Sequence, residues 1–408
     1  MRAGKPRLVF VSPVFLFPND AGGKIRTTNI LRTLKGGAFE LVLVSVATRE
    51  QVEQWQDAIT GVCDEFVFWP AARAKPRWQR AFDLLRELPI SVVADKSNAG
   101  LRTVAQAVTS SANDLVVFDF VHSAVLLPSA LQCPSICFTH NVEAEIFARH
   151  AKQASSLLHR SIWKSQYKKM ERFEASALQQ FNGVIAVSER DAGQFRQLYK
   201  IKNIHPIPTG VDLSFFTWQQ PLTPNQDRLP TVVFTGSMDW AANIDGVRFF
   251  LENVWPNVVS SVPKAQFVVV GKAPPVHLVQ SAAKFNNVRF TGFVDDVRPY
   301  VHAAHAFVIP LLVGGGTRIK AFEAMAMGCP IVSTSIGMEG LDAEEGVYYM
   351  KSDTATSMAD AVIALLSDQV LRDRISIASR QMVESQFGHE VAGKAFEAIC
   401  LSYALKAP

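Results

Sequence analysis

Nowhere in the 408 residues does an apolar run reach the ~18–20 residues needed to cross a bilayer. The basic start and first apolar run, MRAGKPRLVFVSPVFLFPND, invite a signal-peptide reading. Pro13 and Pro18 interrupt that run and no small-residue cleavage site follows, so Leu8 to Ser12 reads instead as a first buried strand. A strong charge of one sign is also missing. The formal net charge is +4, without the basic stripe of a nucleic-acid binder, so no nucleic-acid partner is expected. Cysteine is scarce: Cys63, Cys133, Cys137, Cys329 and Cys400 are odd in number and scattered, and Cys133 and Cys137 flank an apolar stretch as buried thiols would. No second Cys or His pair stands at ligand spacing from them, which argues against zinc and fits a reducing cytoplasm. His302 and His305 sit at i, i+3, but no third ligand is near, so packing or surface roles are expected for both. No Asp-x-Asp pair occurs anywhere, and no metal is expected.

What is present is apolar content sufficient for two cores. At 408 residues with 48% hydrophobic and 19% charged residues, the chain exceeds one ordinary core and is not of a disordered type. Short continuous apolar runs alternate with longer amphipathic stretches. Six strand candidates occupy the first half: 8–12, 40–46, 64–69, 115–119, 135–139 and 183–188. Five occupy the second: 231–236, 266–271, 288–292, 305–310 and 330–334. Runs without polar alternation are buried on both faces, as in parallel sheets covered by helices. Two such series predict an α/β protein of two doubly wound, Rossmann-like domains facing across a cleft. The Pro-containing stretch 213–230 reads as the linker. The expected domains are 1–215 and 228–385, with a final helical piece, 386–408, packing back on the first domain.

The segment PLLVGGGTRIKAFEAMAMGCPIVST (310–334) carries the most chemistry. Gly314, Gly315 and Gly316 let backbone N–H groups approach a ligand without an intervening Cβ. Thr317 can cap the helix that follows, and a glycine loop opening a helix forms an anion site. Arg318 and Lys320 place two cations in the first turn, where the helix dipole disfavours them unless a polyanion compensates. Glu323, on the same helix, can accept hydrogen bonds from ribose hydroxyls. Taken alone, the loop is equally a capped surface helix.

The complete string resembles the sugar-nucleotide motif of the family 4 retaining glycosyltransferases, which have the GT-B fold. The segments 233–250, 266–275, 288–310 and 207–216 resemble further parts of that family. The glycine turn NDAGGKIRTTNILRTL (19–34) and THNVEAE (139–145) match more thinly. Bacterial exopolysaccharide sugar transferases, including those found with exosortase systems, are the nearest subgroup. Two departures stand out. The Glu that most members carry ahead of the second Glu, with seven residues between the two, is Gly315 here. The Arg and Lys that clamp the diphosphate after the 231–236 strand are absent from GSMDWAANIDG. Arg318 and Lys320 are therefore expected to take over the clamp.

The resemblance implies a retaining transfer from a nucleotide-sugar co-substrate to a glycan or lipid-linked acceptor, in exopolysaccharide or cell-envelope polysaccharide synthesis. It implies no protein nucleophile and an Arg/Lys clamp in place of a metal. His140, Arg318, Lys320 and Glu323 are the expected catalytic set. Donor contacts are expected from Gly22, Gly23, Gly236, Ser237, Gly271, Thr317 and the glycine loop, with the base read by backbone near Phe293 and Val294. Lys24 and Arg26 touch phosphate or acceptor, or else are solvated residues of a first helix turn. Asp20, Asp119, Asn141 and Glu143 are candidate acceptor contacts.

Two basic stretches bearing aromatics, 72–88 and 149–170, suit an anionic membrane surface or a solvated helix face, and a cytoplasmic protein peripheral to the membrane is the corresponding expectation. A nucleotide-sugar epimerase shares the architecture, as does a non-catalytic two-domain sugar-nucleotide-binding protein. The first would convert donor without acceptor. The second would tolerate loss of His140.

Overall fold

The computed structural model describes residues 5–71, 83–84, 86–109, 114–154, 156–219, 229–313 and 319–405. The chain divides into two compact units, residues 1–210 with 389–408, and residues 211–388. The division falls at Gly210/Val211, ahead of the expected 215, because the following segment is fastened to the second unit. Arg298 lies 3.9 Å over the Phe215 ring and donates to the Phe215 carbonyl, His302 bonds the Thr217 carbonyl, and Arg380 donates to that of Phe216. The expected linker therefore begins as a strap on the second unit, and residues 220–228 of it lie outside the described residues.

In the first unit, seven parallel strands lie in the order β3-β2-β1-β4-β5-β6-β7. They are β1 Arg7–Ser12, β2 Glu40–Val46, β3 Glu65–Trp69, β4 Leu115–Asp119, β5 Ser135–Phe138, β6 Gly183–Ala186 and β7 Ile204–Pro206. Leu8 and Phe10 of β1 enter one core layer, Val9 and Val11 the other, which is why the run carries no polar alternation. Helix α1 (Gly22–Leu34) follows β1; α2 (Glu143–Gln153) and α3 (Leu157–Leu178) form a hairpin between β5 and β6.

The second unit holds six parallel strands in the order β10-β9-β8-β11-β12-β13. They are β8 Thr231–Thr235, β9 Gln266–Val270, β10 Val288–Gly292, β11 Ala306–Ile309, β12 Ile331–Ser333 and β13 Met350–Lys351. Val232 and Phe234 face one layer and Val233 the other. Helix α4 (Ala241–Phe249) follows β8, α5 (Ile319–Ala326) lies between β11 and β12, and α6 (Gln369–Gln386) closes the unit.

The last helix, α7 (His389–Ala404), belongs to the first unit. Phe396 packs against Phe10 and Phe138, and the Glu397 carboxylate accepts the Ala38 N–H at 2.7 Å. A Cβ at Gly393 would collide with Thr33 of α1, so only glycine allows this approach. Edge strands β7 and β13 were not foreseen; three and two residues long, they are too short to show a periodicity.

Each sheet has one point where the strand order reverses, between β1 and β4 in the first and between β8 and β11 in the second. Open α/β sheets bind ligands beyond the carboxyl ends of the strands at that point.

Candidate active site

At the reversal point of the first unit, five side chains form one buried network. Asp119 ends β4 and is fully buried. Its carboxylate accepts hydrogen bonds from Ser12 Oγ (3.0 Å), Thr27 Oγ1 (3.0 and 3.1 Å) and His140 Nε2 (2.7 Å). Arg26 Nη1 lies 3.2 Å from His140 Nδ1. A guanidinium only donates, so Nδ1 accepts, and the imidazole is the neutral Nε2–H tautomer that donates to Asp119. Burial pulls the His140 pKa below the ordinary histidine value, Asp119 opposes that, and the Arg26 charge adds to it.

The network corrects two expectations. Arg26 is neither a solvated residue nor a free phosphate contact. It is 7% exposed, burial lowers its pKa to about 10, and its Nε has no hydrogen-bond partner among the described residues. Asp119 faces His140, Thr27 and Ser12 rather than an acceptor, because a fully buried carboxylate needs donors on its oxygens.

Gly23 of the first turn has a steric purpose here. A Cβ at Gly23 would come within 2.7 Å of the Phe120 ring, and that ring stacks on His140 at 4.1 Å. Phe120 itself holds a positive φ of 62°, a rare conformation for a bulky residue that turns its ring over the imidazole. Gly22 opens α1, whose N-cap, Ala21, supplies no side-chain bond. Lys24 pairs with Asp20 at 3.0 Å, so these two candidates neutralise each other at the loop.

Glu143 begins α2, with Asn141 Nδ2 3.5 Å from its Oε1 and His122 Nε2 3.8 Å from its Oε2. The helix has no side-chain cap from its own N-cap, Val142. Glu174 of α3 supplies it from afar, accepting the N–H of Glu143 at 2.8 Å and of Ala144 at 3.3 Å.

At the reversal point of the second unit, Lys320 of α5 crosses to the turn after β8. Its Nζ donates to the Thr235 carbonyl (2.9 Å) and Asn243 Oδ1 (3.1 Å) and lies 4.3 Å from the Phe234 ring centre. Asn243 Nδ2 in turn holds the Ser237 carbonyl at 2.7 Å. A Cβ at Gly236 would sit 2.8 Å from Asn243 Nδ2 and 2.9 Å from Lys320 Nζ, and one at Gly271 would overlap the Gly236 carbonyl. Backbone bonds tie these turns together: Gly236 N to Val270 O, Met238 N to Lys272 O and Gly271 N to Gly292 O. Phe293 follows, 72% exposed, while Val294 packs against the core.

Glu323 lies one turn beyond Lys320. Burial lifts its carboxyl to about 7, with Lys320 pulling the other way. Gly314, Gly315, Gly316, Thr317 and Arg318 lie outside the described residues. Asn243 and Lys272 were missed in the sequence. Lys272 brings a cation to within 3.6 Å of Asp239, beside the turn that lacks the family's bases. His302 and His305 do not converge; His305 Nδ1 accepts the Thr231 N–H. Among the described residues no group of three or more His, Cys, Asp or Glu gathers as a metal site.

Two doubly wound parallel sheets, with glycine turns packed at their reversal points, define a GT-B glycosyltransferase fold. Sequence comparison agrees half by half: residues 22–215 match the family described as Glycosyltransferase Family 4, and residues 229–368 the one described as Glycosyl transferases group 1. The chain belongs to these family 4-type glycosyltransferases. It is 30% identical over 184 residues to the phosphatidyl-myo-inositol mannosyltransferase of Mycobacterium leprae, covering 43% of this chain and 48% of that one. It is 28% identical over 208 residues to a GDP-mannose-dependent monoacylated alpha-(1-6)-phosphatidylinositol monomannoside mannosyltransferase of Corynebacterium glutamicum, covering 46% and 53%. The matches span about half the length of these curated relatives. Among solved structures, Anabaena Alr3699/HepE in complex with UDP superposes with a TM-score of 0.69 at 14% identity, covering 97% of this chain and 100% of that one. A glycosyltransferase from Rickettsia africae gives 0.68 at 15%, covering 99% and 100%.

Proposed function

We propose that this protein transfers a sugar from a nucleotide-sugar to a glycan or lipid-linked acceptor, with retention at the anomeric carbon and without a metal, in exopolysaccharide or cell-envelope polysaccharide synthesis. The observation that carries the reading is the Lys320 side chain at the Gly236–Ser237 turn, backed by Asn243 at the strand reversal. A cation at glycine turns suits a diphosphate. Its task is to neutralise charge developing on the leaving group. Arg318 would act beside it, and Glu323 would accept the ribose hydroxyls. On the acceptor side, the neutral, fixed imidazole of His140 suits a polar contact that keeps its orientation throughout the reaction.

The name of the corynebacterial relative supports a GDP-mannose donor, both its name and the mycobacterial one support a phosphatidylinositol-type acceptor, and the UDP complex of the Anabaena protein supports a uridine donor. A thermal-shift screen of UDP-, GDP- and ADP-sugars separates these, since a ligand of the native state raises the melting temperature. Arg318→Ala weakens donor binding strongly on this reading; unchanged affinity by calorimetry removes the clamp assignment. Incubation with donor alone separates transfer from epimerisation, because only an epimerase converts the nucleotide-sugar without acceptor. NMR of the product's anomeric centre tests retention, and activity in excess EDTA tests metal independence.

The basic stretch 149–170 supports an anionic membrane surface as the place of work, and most of the companion stretch, 72–82 and 85, lies outside the described residues. No helix among the described residues is long and apolar enough to cross a membrane.

A further inference from the structure

The α2–α3 hairpin has a feature that neither sheet chemistry nor packing uses. Its base is fixed at the carboxyl edge of the first sheet, where Glu174 bonds the first N–H groups of α2. Farther along, His150 stacks on Trp163 at 4.6 Å and Phe147 meets the same ring edge-on, so the helices run antiparallel. Eleven residues of α2 carry the tip about 16 Å beyond that edge. At the tip Leu157 and Leu158 are 82% and 70% exposed.

Between the helices lies a cavity of about 960 Å³. Lys152, Arg160, Lys164 and Lys168 line it, with Ser161 and Ser165 between them and no carboxylate among the lining residues. The stretch's other two cations are already engaged: Arg149 pairs with Glu145, and Lys169 caps the carbonyls of Leu84 and Arg86. None of the four in the cavity has an ion-pair partner among the described residues. Four like charges around one cavity repel each other and raise its affinity for a polyanion. Two exposed leucines beside them add an apolar contact that a soluble anion cannot use.

We propose that this cavity receives the phosphate-bearing headgroup of an anionic membrane lipid, while Leu157 and Leu158 enter the acyl boundary. The inference rests on the reading of 149–170 as a membrane-directed face, and adds to it a defined receptor and a point of insertion. Basic side chains supply the long-range attraction and the leucines the short-range hold, the combination that keeps interfacial helices in place. The carboxyl edge bearing His140 then lies a short helix away from the lipid surface, within reach of a lipid-linked acceptor's sugar.

Flotation of the full chain with vesicles of phosphatidylcholine containing phosphatidylglycerol tests it. Wild type floats at low salt and less so at high salt. Replacing Lys152, Arg160, Lys164 and Lys168 together by Gln keeps the stems and lowers partitioning about a hundred-fold. Leu157→Ser with Leu158→Ser lowers it at least about tenfold. Circular dichroism melts matching wild type show that both variants fold. Undiminished flotation of either variant overturns the receptor while leaving the membrane reading intact. Wild type that does not float removes both. Binding of inorganic phosphate by calorimetry without flotation assigns the cavity to a free anion and also overturns the proposal.

Discussion

His140 Nε2 lies 2.7 Å from Asp119 Oδ1, and both side chains are excluded from solvent. The carboxylate serves three side-chain donors, so its loss is felt by Ser12, Thr27 and His140 together. Asp119→Asn keeps the shape but turns one acceptor into a donor. The expected cost is about 1–3 kcal/mol, and Asp119→Ala costs more. Thermal or urea unfolding checks this; a midpoint equal to wild type would show that the carboxylate anchors nothing.

Arg26 sets the other side of the imidazole. Its charge and its hydrogen bond to Nδ1 both oppose protonation of His140. Removing them with Arg26→Met leaves burial alone to oppose Asp119. The His140 pKa is then expected to rise, and NMR titration of the imidazole carbons reads it directly. A fall, or no change, would contradict the assigned tautomer.

Glu323 titrates near neutrality because burial lifts its carboxyl to about 7. On the proposed role, in which ribose hydroxyls donate to this carboxylate, donor affinity should rise as pH increases through 7 and flatten above it. The stability sign is opposite. The folded chain holds this proton from the ordinary carboxylate range up to about 7, so the contribution to stability falls as pH rises through that window. Calorimetry of donor binding from pH 5.5 to 8.5 tests the first statement, and Glu323→Gln should remove the slope along with much of the affinity.

Gly271 has no room for a methyl group, since its Cβ position overlaps the Gly236 carbonyl. Gly271→Ala must push the turns after β8 and β9 apart, at about 1–3 kcal/mol. The same shift moves Gly236 away from Lys320. A reduced melting temperature and a lost donor-induced thermal shift are expected together; an intact donor response would detach this turn from the site.

Fold class was legible because burial on both faces writes itself into β1, β2, β8 and β9 as unbroken apolar runs. Short edge strands β7 and β13 carry no such mark. Glycine was legible as a type but not as a reason: at Gly23 the reason is the Phe120 ring, and at Gly271 it is another turn's carbonyl. Arg26 read as a first-turn base, and only the folded chain turns it inward onto a histidine 114 residues away.

The local chemistry of the 310–334 segment, the apolar strand series and the basic run of 149–170 were determined by the sequence itself, since each depends on residues adjacent in the chain. Tertiary structure alone decided that Asp119 serves His140, that Glu174 caps a helix from another element, and that Lys320 meets Thr235 and Asn243. Those contacts join residues 21 to 85 positions apart in the chain, and burial is what makes their hydrogen bonds obligatory.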